Sequence, residues 1–121
     1  MRKIALLVGV SEYEPGLNPL PAAVKDVEAM QRVLTNPEIG GFTEIAMLKN
    51  SQRQEMEEAI YKLFSRGQKD DLLLFYFSGH GITDESGRLY LSTRVTRKEN
   101  GITGSTISSS SKFCTRQHKW K

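Results

Sequence analysis

The chain has 121 residues, 38% hydrophobic and 26% charged, so it can bury one core and form a single globular domain. No apolar run approaches the roughly 20 residues that span a bilayer, and the one cysteine, Cys114, excludes an internal disulfide or a multi-cysteine metal site. Net charge is +3 but uneven: residues 94–121 hold seven Lys/Arg against one acid, whereas residues 1–93 hold ten against thirteen. The chain is therefore divided into a domain over 1–93 and a basic, serine-rich tail over 94–121. Without interleaved aromatics that tail is expected to be irregular and solvated, and nucleic acid is not its expected partner.

The opening MRKIALLVGVSEYE has a basic start and an apolar stretch, but the stretch is short and runs into acids without a small-residue cleavage site. It is read as a first strand over 4–10, buried on both faces, in a cytoplasmic protein. Residues 12–21 hold three prolines, a glycine and an asparagine and must form a loop. Ala23, Val27, Met30 and Leu34 then recur at helical steps, predicting a helix over 21–36 that stops at Asn36-Pro37. A short strand follows at 44–48. Ser51-Gln52-Arg53-Gln54 has capping-box spacing, and Met56, Ile60, Leu63 and Phe64 line one face of a helix over 51–66 ended by Gly67. Residues 71–77 form the third strand, and a small hairpin is expected near 82–92, its turn at Asp84-Glu85-Ser86-Gly87. Those carboxylates are read as turn formers in preference to calcium ligands, and no metal or other cofactor is expected. The order β-α-β-α-β predicts a parallel sheet, spatial order second-first-third, with flanking helices.

The third strand, DLLLFYF, ends abruptly in Ser78-Gly79-His80-Gly81. Sites in open parallel sheets form at the carboxyl ends of the strands, so His80 and the loop after the first strand should share a rim. The glycines allow close backbone approach. A histidine there, beside a glycine N–H, offers a proton acceptor and an oxyanion donor. Taken alone, a histidine in a glycine-rich turn more often caps a strand or bonds a neighbouring loop. No G-x-G-x-x-G or P-loop pattern follows any strand, which leaves a flavodoxin-like ligand-binding domain without support.

The succession KIALLVGVSEY, LPAAVKDVEAMQRVL and DLLLFYFSGHG followed by GRLYL resembles the caspase-like cysteine peptidases over about residues 2–93, especially the metacaspase and orthocaspase branch. The resemblance implies a partial three-layer α/β fold of the caspase-hemoglobinase type. It also implies His80 as the histidine of a Cys-His dyad and Gly81 as the oxyanion donor. Asp26 would be an acid of the primary specificity pocket, selecting Arg or Lys before the cut bond; as a plain helix carboxylate it would instead favour the first turn through the macrodipole. Both readings of Asp26 stand at this point.

The sequence departs from the family where the nucleophile belongs. That cysteine should end a fourth apolar strand, within Asp-Cys or Asp-x-Cys, but residues 94–121 contain no such strand. Cys114, between Phe113 and Thr115, lacks both the apolar run and the acidic neighbour, and an irregular tail cannot hold a thiolate within the ~3 Å that general-base activation requires. The resemblance thus implies a truncated endopeptidase whose partners are a peptide or protein substrate and a second, cysteine-bearing caspase-like half. The competing reading is an inert fragment or pseudoenzyme that acts only by association with such chains.

Overall fold

Seven residues, Lys3–Gly9, form strand β1, and it is covered on both faces. A computed structural model describes residues 1–13, 17–83, 89–93 and 107–108. Its further elements are α1 (Ala22–Thr35), β2 (Glu44–Lys49), α2 (Arg53–Arg66), β3 (Leu72–Ser78), β4 (Gly81–Thr83), β5 (Leu89–Leu91) and β6 (Ile107–Ser108).

The period-two alternation of β1 divides its side chains between two cores. Ala5 and Leu7 face Val27 and Leu34 of α1, together with Phe42, whereas Leu6, Val8 and Val10 face Met56, Ile60, Leu63 and Phe64 of α2. Leu6, Leu7 and Val8 are almost wholly buried, each worth roughly 1.5–3 kcal/mol of transfer free energy. The sheet order is β2-β1-β3 and both pairings are parallel, with Ile4 opposite Glu44 and Leu73. Because β2 and β3 lie on opposite sides of β1, the helices that connect the strands fall on opposite faces. The expected order and layers are those observed. β4 and β5 form the antiparallel hairpin, and Ile107–Ser108, from the segment beyond residue 93, pairs with β5. The anticipated turn at 84–87 and Cys114 lie outside the described residues. Among those residues no helix is long and apolar enough to cross a membrane.

Helix ends differ from the sequence expectation in two places. The capping box of α2 spans Gln52 and Glu55, one residue later than expected, with Glu55 Oε1 accepting the Gln52 N–H at 3.3 Å. Ser51 instead turns inward, only 5% exposed, and its hydroxyl has no partner among the described residues. At the other end Gly67 does terminate α2, but its backbone is extended (φ −66°, ψ 132°) rather than left-handed. Space favours glycine there, since a Cβ would run into the buried Leu73 side chain.

A polar clamp fastens the start of the chain to the entry of β3. Asp71, its side chain 4% exposed, accepts the Arg2 backbone N–H at 3.0 Å, Arg2 Nη2 at 2.8 Å and the Gln68 N–H at 2.9 Å. The Arg2 guanidinium and these N–H groups hold its carboxyl well below the usual carboxylate range. A depressed folded pKa stabilises the fold above the unfolded value of about 3.9 and loses that contribution as pH falls below it. We therefore expect Asp71→Asn to lower the urea midpoint at neutral pH. The gap from the parent protein should narrow steadily as pH is taken below about 4, and an unchanged gap would remove Asp71 from the acid response.

Candidate active site

Two chain segments leave the carboxyl ends of β1 and β3 side by side. The Val10 N–H donates to Ser78 O at 2.9 Å, carrying the ladder one residue past β1, so Ser11–Tyr13 and Gly79–His80 occupy one rim as the topology required. Asn50, at the end of β2, pins the first of these. Its Oδ1 accepts the backbone N–H groups of Ser11 and Glu12 at 2.8 and 3.0 Å, from a left-handed backbone (φ 54°).

His80 is half-buried at this rim, and its environment answers why a strand should deliver a histidine between glycines. Its Nε2 lies 2.8 Å from the carbonyl oxygen of Asn18. A carbonyl only accepts, so Nε2 carries a proton, and any lone pair of the ring is on Nδ1. The ring meets the edge of Tyr13, with centroids 4.8 Å apart at 63°. The His80 N–H donates to Tyr13 Oη at 2.9 Å, and that hydroxyl is also hydrogen-bonded to Ser92 Oγ at 2.9 Å. Gly79 permits this approach, since a Cβ there would stand 2.8 Å from both Tyr13 Oη and Phe77 Cζ. Burial raises the Tyr13 phenol above its ordinary pKa, against the opposing pull of its bonds with Ser92 and His80.

Gly81 is exposed and opens β4. The Ser92 N–H donates to His80 O at 3.1 Å, while Gly81 is in register with Leu91. His80 and Ser92 therefore stand at a hydrogen-bonded position of the antiparallel ladder. The alternation turns the Gly81 N–H away from β5.

Asp26 sits in the second turn of α1, exposed, and Ser78 Oγ donates to its Oδ2 at 3.0 Å. The first turn of α1 contains no acid, so the macrodipole does not explain this carboxylate. Ser78 precedes His80 by two residues, which places Asp26 beside the rim on the α1 side.

The structure thus brings His80, Gly81 and Asp26 to one edge of the sheet. Sequence reasoning passed over Asn18, Asn50 and Ser92, took Ser78 only as the end of the third strand, and placed Tyr13 only within the loop after the first strand. Asn50 alone carried a local signal, an Asn-Ser pair ending a strand. Among the described residues no group of three or more His, Cys, Asp or Glu could hold a metal ion. A separate groove between α2 and β2, lined by Ile4, Ala46, Leu48, Ala59 and Leu63, includes none of the rim residues.

A family model for the caspase domain matches residues 2–110 of the chain. A comparison with curated proteins gave no match.

Asn50 offers a test of how the rim is built. Asn50→Ala removes an acceptor of two backbone N–H groups and keeps an unfavourable left-handed backbone, at a combined cost of roughly 2–4 kcal/mol. Asn50→Gly relieves the backbone and should recover about 1 kcal/mol of that in urea denaturation. Equal losses in the two variants would show that the backbone conformation contributes nothing.

Proposed function

Because the chain belongs to the caspase-domain peptidase family, we propose that His80, Gly81 and Asp26, with the Asn18 carbonyl, belong to the histidine-bearing half of a cysteine endopeptidase site that cuts after Arg or Lys. The observation that carries this reading is the ring of His80, held at a strand-end rim with its Nε2–H on the Asn18 carbonyl and no hydrogen bond to its Nδ1 among the described residues. A buried structural histidine would have both nitrogens occupied.

The chemistry follows from that orientation. A cysteine from outside these 121 residues gives its thiol proton to His80 Nδ1. The imidazolium so formed keeps its Nε2–H on the Asn18 carbonyl, whose dipole favours the added charge. The thiolate adds to the scissile carbonyl, and the developing oxyanion is met by the Gly81 N–H. His80 then protonates the departing amine as the tetrahedral intermediate collapses to a thioester. Water, deprotonated by the same nitrogen, releases the acid product and restores the thiol. Asp26, its carboxylate oriented by Ser78, supplies the negative charge that seats a guanidinium or ammonium before the cut bond.

The isolated chain is accordingly expected to leave Arg and Lys peptides intact, and alkylation of Cys114 should change nothing. Supplying the polypeptide encoded directly downstream, if it carries an apolar strand ending in Asp-Cys or Asp-x-Cys, should generate cleavage that His80→Ala abolishes. Asp26→Asn should raise KM for basic peptides by about tenfold or more, the loss of one charge-assisted contact. Turnover by the 121 residues alone, lost in both Cys114→Ala and His80→Ala, would instead make Cys114 the nucleophile. Cleavage that survives His80→Ala would remove the histidine from the mechanism.

A further inference from the structure

We infer that the Tyr13 hydroxyl is a positioning residue for the site: it fixes the peptide plane before His80 and is tied to Ser92, which fixes the plane after it, so that the ring and the Gly81 N–H are aimed together. The inference rests on the reading of His80 as the base.

The argument begins with the ladder. A hydrogen-bonded pair in an antiparallel sheet exchanges two bonds, N–H to O in each direction. His80 and Ser92 make only one of them, from the Ser92 N–H to His80 O. The His80 N–H turns instead to Tyr13 Oη, and Oη is bonded in turn to Ser92 Oγ. The phenol therefore substitutes for the missing ladder acceptor and remains tied to the residue that would have supplied it. Ser92 is fully buried, so that tie is not open to exchange with solvent.

Each bond orients a rigid group. The peptide unit is planar, so the bond from the His80 N–H fixes the plane joining Gly79 to His80. The bond to His80 O fixes the plane joining His80 to Gly81, and with it the direction of the Gly81 N–H. Between the two planes the ring is confined by the Tyr13 edge on one side and the Asn18 carbonyl at Nε2. The hydroxyl touches the backbone of His80 and neither ring nitrogen, so it acts through His80 and not on a substrate. Gly79 is the counterpart of this arrangement, since any side chain at 79 would displace the hydroxyl.

The test is made on the whole 121-residue chain, labelled with ¹⁵N, by nuclear magnetic resonance. In the parent protein the Nε2-bound proton of His80 should be observable, held on the Asn18 carbonyl. In Tyr13→Phe, which keeps the ring edge and deletes only the hydroxyl, that signal should be lost to solvent exchange. The His80 and Gly81 amides should exchange roughly two- to tenfold faster relative to β1 amides, the range for one lost hydrogen bond. Gly79→Ala, with Tyr13 intact but displaced, should reproduce both changes, and it carries the test alone if Tyr13→Phe loses the fold. Tyr61→Phe, at an exposed tyrosine, should alter neither. Unchanged ring and amide signals in folded Tyr13→Phe or Gly79→Ala would overturn the inference. The catalytic reading fails separately: cleavage by the reconstituted peptidase that survives His80→Ala would sink it and leave the positioning result standing.

Discussion

The parallel ladder between β1 and β3 is the constraint on which the rest depends. It runs from Lys3 opposite Leu72 to Gly9 opposite Ser78 and ends with the Val10 N–H on Ser78 O. Parallel pairing sends both strands out at the same edge, which antiparallel pairing of the same segments would not do. β1 is held there by burial on both faces as well as by strands on both sides, so the register cannot slip by one residue without exchanging its two cores. The loop after β1 and the Gly-His-Gly segment meet because of that register.

At the meeting point the two glycines serve different ends. Gly79 makes room for Tyr13 Oη, whereas Gly81 presents an N–H turned out of the β4–β5 ladder. His80 between them is bonded at its N–H, its C=O and its Nε2, which leaves Nδ1 as the one ring nitrogen without a bond among the described residues. Such fixation favours general-base work, because the cost of ordering the ring is met in folding and not during reaction. The two faces of the sheet divide the remaining tasks. Tyr13 and Leu91 pack with the core under α2, and Asp26 approaches from α1 through Ser78.

The strands and helices were legible in the amino-acid sequence because each carries a clean pattern: unbroken apolar runs for the buried strands, helical spacing from Ala23 to Leu34 and from Met56 to Phe64. The position of His80 and Gly81 at the rim was legible from the strand end, whereas their roles, and that of Asp26, came only from the family resemblance. What could not be read was what holds them. Tyr13 and Ser92 are 79 residues apart, His80 and Asn18 are 62 apart, and Ser11 and Asn50 are 39 apart. No local propensity encodes such pairs. The Asn18 contribution is a backbone carbonyl, to which its side chain gives no clue. Ser51 illustrates the same limit: the local pattern favoured it as the helix cap, but burial claimed its side chain and passed capping to Gln52.

The proposed seating of a basic residue by Asp26, beside Nδ1 of His80, is open to a direct test. It can be read on the isolated chain with a peptidyl-arginine chloromethyl ketone. Nδ1 would displace chloride from the methylene carbon, forming an N–C bond that mass spectrometry locates. Labelling at His80 by the arginine reagent is expected, suppressed by Asp26→Asn and by excess arginine peptide, with little labelling by the aspartate analogue. Equal labelling by both reagents, or a label on Cys114 with His80 spared, would contradict it.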